Sequence, residues 1–176
     1  MTNVDFFRDF AAETTMATVK TDAYYFEHDT EMQAIGNFMQ STGTNDTQKK
    51  MFHFTYPEGI IPIQNDSDNT TGVKYRGECL VLVQADPGLP VDVQGGIAEN
   101  TGRYTANIKD MVDQGEILRQ LREYATQLNI TALAAGGDNT YYTIRIQSVT
   151  EVYGQMGFYG DGIAFKYELT IKHDTN

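Results

Sequence analysis

The stretch IAFKYELTIK, residues 163–172, alternates apolar and polar positions without a break. The apolar set is Ile163, Phe165, Tyr167, Leu169 and Ile171, and between them lie Ala164, Lys166, Glu168, Thr170 and Lys172. A period of two is typical of a β-strand, because successive side chains point to opposite faces of the sheet. The end of the chain is therefore predicted to be a strand with one buried face and one wetted face.

Two stretches before it predict strands that would pair with it. Residues 73–84 are amphipathic at first and apolar on both faces from Cys79 to Val83, which predicts a central strand whose end lies under helices. Residues 141–153 place Tyr142, Ile144 and Ile146 on one face, and their phase shifts near residues 149–152, as a β-bulge would produce. The glycine-containing segment 154–162 would join this strand to the last one as an antiparallel hairpin.

The N-terminal third of the chain has weaker signals for extended structure. Residues 51–56 place Phe52, Phe54 and Tyr56 on one face of a predicted strand. Residues 17–27 favour extended structure by composition, and residues 31–39 suit a short helix.

Two helices are predicted to cover the sheet. Residues 3–14 can be capped by Thr2 or Asn3, and their Phe residues recur at helical spacing. Residues 105–129 carry a wide apolar stripe, interrupted by Gly115, which leaves open a break into two shorter helices. The stripe consists of Ile108, Met111, Val112, Leu118, Leu121, Ala125 and Leu128.

These elements predict an α+β fold: a mainly antiparallel sheet flanked by the N-terminal helix and one long amphipathic helix. With 176 residues, the chain is long enough for one domain with a sizeable core, so residues 1–176 are expected to be a single domain. Long loops are expected at about residues 29–50 and 86–104, which are rich in polar residues or in Gly and Pro.

The charge of the chain limits its partners. Its 24 acidic and 13 basic residues give a net charge of −11, which argues against a surface that binds duplex DNA. A neutral or basic protein is therefore a more plausible partner than duplex DNA. No secretory signal or membrane span is predicted, because no apolar run has the required length.

No catalytic, cofactor-binding or metal-binding residue is predicted, and the chain is not expected to be an enzyme. His28, His53 and His173 are far apart in sequence and lack ligand spacing. The glycines at 154, 157, 160 and 162 precede a strand, whereas a phosphate loop needs a helix behind it. The segment from Asp66 to Asn69 suits a solvated turn better than a calcium loop. Three further candidates have simpler interpretations: Cys79 as a small packed hydrophobe, and Glu116 and Glu123 as part of a wet helix face.

The order of these elements resembles that of the tail-terminator, or tail-completion, proteins of long-tailed bacteriophages. The resemblance rests on the Phe-rich opening helix, the strand ending in Tyr75 to Gln84, the helix from Ile117 to Leu128, and the closing pair of strands at 144–153 and 162–171. It covers about four-fifths of the chain, and the long loops at 29–50 and 86–104 depart from the smaller members of the family.

The resemblance implies a structural virion protein that forms a homo-oligomeric ring of six subunits at the head-proximal end of the tail. Such a ring stops growth of the tail tube and joins the tail to the head connector or neck. The protein would be assembled in the host cytoplasm, and DNA would pass through its lumen without sequence-specific binding. The loops at 86–104 and 153–162 would contact neighbouring rings.

A different class of function also fits the composition. The chain has 11 Tyr residues, and a pocket between helix and sheet could bind a sugar or a small aromatic compound. Its expected lining is Tyr24, Tyr142, Tyr153 and Phe165.

Overall fold

A computed structural model of the chain describes residues 1–12, 25–28, 50–54, 59–84, 103–134, 140–154 and 160–173. It has two helices and six strands in these ranges. In chain order they are α1 (Asn3–Ala12), β1 (Tyr25–His28), β2 (Lys50–Phe54), β3 (Ile60–Gln64), β4 (Thr70–Gln84), α2 (Arg103–Ala134), β5 (Thr140–Gly154) and β6 (Gly160–His173). Neither described helix has the length and apolar character needed to cross a membrane.

All six strands belong to one mixed sheet with the order β1-β2-β4-β6-β5, and β3 pairs with the first part of β4. Only β1 and β2 are parallel among the described strands, and the remaining pairs are antiparallel. The α+β class with a mainly antiparallel sheet is therefore confirmed. β4 is central, as predicted, because β2 and β3 share one of its edges and β6 occupies the other.

β6 pairs on both sides, and its alternation is the predicted one. All five of its apolar side chains from Ile163 to Ile171 are buried, while Lys166 and Lys172 are exposed. The bulge predicted in β5 is also present, slightly earlier than expected, since the register shifts between Ile146 and Ser148. The antiparallel hairpin of β5 and β6 is thus confirmed.

The helix α1 begins with a capping box. Thr2 Oγ1 accepts a hydrogen bond from the Asp5 main-chain N–H, and the Asp5 carboxylate accepts one from the Thr2 N–H at 2.9 Å. The hydrogen bonds that Thr2 donates hold the pKa of Asp5 below its usual value. The helix then buries Phe6, Phe7 and Phe10 completely.

One face of the sheet carries the main core. α1 lies against β1 and β2, and α2 lies against β5 and β6. The two helices meet where Tyr124 contacts the rings of Phe6 and Phe10, at centroid distances of 5.2 and 5.6 Å. α2 also buries Ile117, Leu121 and Ala125 against this face. Phe52 and Leu82 form a smaller buried cluster on the opposite face, so that face is not wetted along its whole length.

α2 does not break at Gly115, because one helix runs continuously from Arg103 to Ala134. Gly115 is exposed, and a Cβ atom there would meet nothing within 4 Å. The chain tolerates the glycine because burial of the next residues, Ile117 and Leu121, stabilises the helix through tertiary packing.

Gly115→Ala is therefore expected to stabilise the protein by about 1 kcal/mol, since alanine loses less backbone entropy in a helix and nothing opposes its methyl group. Urea unfolding at neutral pH measures the change. An unchanged or lower free energy of unfolding would mean that the helix is not formed at this position.

Several predicted features lie wholly or partly outside the described residues. They are residues 13–24 of the first helix and strand regions, the short helix at 31–39, Tyr56, the turn at 136–139, residues 29–49 of the loop expected at 29–50, residues 86–102 of the loop expected at 86–104, residues 155–159 of the segment 153–162, and the side chains of Ile108, Met111 and Val112. β2 begins at Lys50 and α2 begins at Arg103, inside the expected bounds of the two loops. The strand β3 is an addition to the predicted set. It contains Pro62, which lacks the N–H that a central strand needs, and its position beside only β4 accommodates this.

Candidate functional site

Four groups of sequence candidates have structural roles. Of the four glycines, Gly154 ends β5, Gly160 and Gly162 lie in β6 with no described helix behind them, and Gly157 lies outside the described residues. Residues Asp66 to Asn69 close the hairpin of β3 and β4. Burial, with a smaller contribution from the Glu78 charge, raises the pKa of the Cys79 thiol well above its usual value, so the thiol is neutral and packed. Glu116 and Glu123 both form ion pairs with Arg119 on the surface of α2.

The predicted tyrosine pocket is not formed by the residues expected to line it. Tyr142 and Tyr153 are eleven positions apart on β5, which separates them by about 35 Å in an extended strand. Phe165 is 1% exposed inside the core, and Tyr24 lies outside the described residues. Asn129 of α2 anchors the main chain of Tyr142 through two hydrogen bonds, of 2.6 and 3.0 Å. This end of β5 is therefore a packed helix contact.

The parallel pairing of β1 with β2 brings together two histidines that are 25 positions apart. His28 Nδ1 lies 3.0 Å from the His53 main-chain oxygen and 3.1 Å from His53 Nδ1. His53 is fully buried, whereas His28 is exposed. The ring of Phe7 stacks on His53 at a centroid distance of 4.7 Å, and Phe26 lies on it at 6.3 Å.

The buried histidine is also bound on its other side. His53 Nε2 contacts the Tyr167 hydroxyl, which accepts a hydrogen bond from Asn3 Nδ2 at 3.2 Å. Gly77 leaves the space for this hydroxyl, because a Cβ atom there would come within 2.7 Å of it. The network links β1, β2 and β6 to α1, so it fixes the helix on the sheet.

The hydrogen bonds assign the protonation of both rings. His28 Nδ1–H donates to the His53 carbonyl, so His53 Nδ1 must be the acceptor that faces it. His53 then carries its proton on Nε2 and donates it to Tyr167. Burial, together with the nearby charge of His28, lowers the pKa of His53 to about 3, so this ring is neutral at physiological pH.

This network, with its buried neutral ring, has a structural role. The described residues contain no group of three or more His, Cys, Asp or Glu side chains that could hold a metal ion. No pattern in the sequence signals the pair, because only the register of β1 against β2 brings His28 beside His53. The exposed surfaces of the sheet are better candidates for function.

The first such surface is the edge strand β5. It has 15 residues, and no described strand pairs with its outer edge. All five of its residues from 147 to 151 are exposed, including Val149 at 48%. A long edge with unpaired main-chain groups is a template for pairing with another chain. Natural proteins usually block such an edge unless a neighbour covers it.

The second surface is the face of β4, β6 and β5 that points away from the helices. Alternation and register place seven charged side chains on it: Lys74, Arg76, Glu78, Arg145, Lys166, Glu168 and Lys172. The Glu168 carboxylate binds Lys74 Nζ at 3.1 Å and Arg76 Nε at 3.0 Å. Partial burial raises the pKa of Glu168, but these two cations outweigh it and hold the pKa below its usual value. We call this surface the basic face.

The third surface is the tip of the hairpin of β3 and β4, residues 65–69. Asn65 Oδ1 accepts hydrogen bonds from the Ser67 and Asn69 N–H groups, each at 3.0 Å. Asp68 has a positive φ of 58°, a conformation that Asp and Asn adopt more readily than most residues. The exposed carboxylates of Asp66 and Asp68 thus occupy a well-bonded turn. We call it the acidic tip.

No protein-family model matches this chain. A search of curated proteins finds no match either.

Proposed function

We propose that this protein is a structural component of a bacteriophage virion that assembles into a ring, ends the growth of the tail tube and joins the tail to the head. The order of its elements resembles that of tail-terminator proteins, and the long outer edge of β5 is the observation that carries the proposal. A subunit with such an edge is suited to pairing with a neighbour.

The proposed ring has six subunits, as the resemblance implies. Its partners are the tail tube on one side and the head connector or neck on the other, and it is localised to the virion after assembly in the host cytoplasm. The net charge of −11 supports passage of DNA through the lumen, because like charges disfavour adhesion of the duplex.

A single lysine substitution tests whether the edge of β5 pairs with a neighbouring subunit. Val149→Lys adds a charge to an exposed position, and lysine on an edge strand opposes pairing with another chain. The variant is expected to keep the stability of the wild type within about 0.5 kcal/mol and to weaken association by about tenfold. Native mass spectrometry across a concentration series, followed by particle imaging, measures the fraction of rings.

Gln127→Lys is the matched control, since it adds the same charge to an exposed position of α2. Purified tail tubes of the same virus are added in a second series, so that assembly on a template is also detected. Rings that form equally well in the Val149→Lys variant would exclude the β5 edge as the contact. A protein that stays monomeric with and without tubes would overturn the proposed function.

A further inference from the structure

The basic face has the opposite charge from the chain that contains it. Its five cations and two carboxylates give +3, whereas the whole chain carries −11, so the remaining residues together carry −14. Arg76, Arg145, Lys166 and Lys172 are exposed. Concentration of positive charge on one sheet face of an acidic protein indicates a complementary, negatively charged partner.

The arrangement of these charges fits a protein carboxylate better than nucleic acid. Glu168 lies at the centre of the face between Lys74 and Arg76, and a second carboxylate, Glu78, pairs in register with Lys166. A phosphate backbone would meet these carboxylates unfavourably, because it carries negative charges along its whole length. A single carboxylate can approach Arg145 and Lys166 without extending over the rest of the face.

The acidic tip supplies such carboxylates. Among the helix side chains that the structure describes, Asp5 and Asp9 are already beside Arg8, and Glu116 and Glu123 are beside Arg119. By contrast, no Lys, Arg or His occurs from residue 59 to residue 73, so the tip carries −2 without a cation nearby in the sequence.

The tip cannot reach the middle of the basic face of its own chain. Thr70 follows the turn, and Glu78, which is level with Lys166, is eight residues further along the same strand. That distance is about 26 Å in a β-strand. Only the end of the basic face at Lys172, which is level with Gly72, and at Lys74 lies near the tip of the same chain. The carboxylates of the tip can therefore meet Arg145 and Lys166 only on another molecule.

We propose that the acidic tip of one copy of this chain docks on the basic face of a second copy. The contact joins two different surfaces, so it is heterologous and produces a ring when the rotation closes. The inference rests on the proposed ring and names a second contact between its subunits, in addition to the edge of β5.

The test is a charge swap. The face variant, Arg145→Glu with Lys166→Glu, changes the charge of the basic face from +3 to −1. The tip variant, Asp66→Lys with Asp68→Asn, changes the charge of the acidic tip from −2 to +1. Asparagine is used at position 68 because it tolerates the positive φ there. Each double variant alone is expected to weaken self-association about tenfold or more. Mixing the two variant proteins, or combining all four substitutions in one chain, is expected to restore association to within about threefold of the wild type. Association is measured at low salt by sedimentation velocity.

Arg8→Glu with Arg122→Glu is the matched control, because it reverses two exposed charges on the helices. Its association should match the wild type. Raising the salt to about 1 M shortens the screening length from about 10 Å to about 3 Å and should weaken the wild-type contact. If the face variant behaves like the control, or the swap fails to restore association, the proposal is wrong.

The outcomes separate this contact from the proposed function. If Val149→Lys weakens ring formation but the face and tip substitutions leave it unchanged, the docking contact is wrong and the proposed function stays in place. Binding of a fluorescent DNA duplex that is lost in the face variant, with self-association unchanged, would identify nucleic acid as the occupant and also overturn it. A monomer under all conditions contradicts both.

Discussion

Acidification from pH 7 to pH 4 is expected to destabilise the protein by about 3 kcal/mol through His53 alone. The unfolded chain has a histidine with an ordinary pKa of 6.5, whereas the pKa of the folded group is about 3. The unfolded state therefore binds more protons between these values. The stability that depends on neutral His53 is complete above pH 6.5 and is lost progressively as the pH falls toward 3.

The physical reason is the neighbourhood of the ring. A proton on His53 Nδ1 would point at the His28 Nδ1–H, and the charge would be buried against the rings of Phe7 and Phe26. The Tyr167 hydroxyl on the other side of the ring is neutral and cannot compensate the charge. Release of the network would weaken the contact of α1 with the sheet, since Asn3 and Phe7 of the helix belong to this network.

Urea unfolding at a series of pH values measures this effect, and His53→Gln isolates it. The variant loses stability at neutral pH, but the part of the pH dependence that belongs to His53 should disappear. His173→Gln serves as the control because His173 is exposed and bonds to the Thr140 hydroxyl at the end of the sheet. Equal slopes for the wild type and His53→Gln would show that His53 is not held neutral in the fold.

The features that can be predicted from the sequence are those that produce a local periodicity of apolar and polar residues. The alternation of β6, the central position of β4 and the bulge of β5 each follow from neighbouring residues, so the α+β class and most of the sheet could be expected. The possible break at Gly115 was wrong because its cost of about 1 kcal/mol is small beside the burial of Ile117 and Leu121.

The candidate surfaces depend instead on register, which the sequence does not contain. Arg76 and Arg145 are 69 positions apart and come to the same level of one sheet face only because both pair in register with Glu168. His28 and His53 meet through a four-residue parallel pairing, the kind of contact that periodicity cannot show. β3 was missed because Ile60, Ile61 and Pro62 are exposed on a short outer strand and follow no alternation.

The second large effect concerns a close backbone contact at the centre of the sheet. Gly162→Ala is expected to destabilise the protein by about 3 kcal/mol or more. A Cβ atom at Gly162 would overlap the Val81 main-chain oxygen and would lie 3.0 Å from the Leu82 Cα atom. Both neighbours belong to the backbone of β4, which cannot move without displacing the central pairing of β4 with β6.

Gly115→Ala provides the matched comparison, because the same methyl group enters open space there and should raise the free energy of unfolding. Urea unfolding of the two variants at neutral pH should therefore give changes of opposite sign. Loss of pairing at Gly162 would also loosen the start of β6, where Asp161 and Ile163 are buried. Equal stability of Gly162→Ala and the wild type would mean that β4 and β6 do not approach each other this closely, and the register that builds the basic face would then need revision.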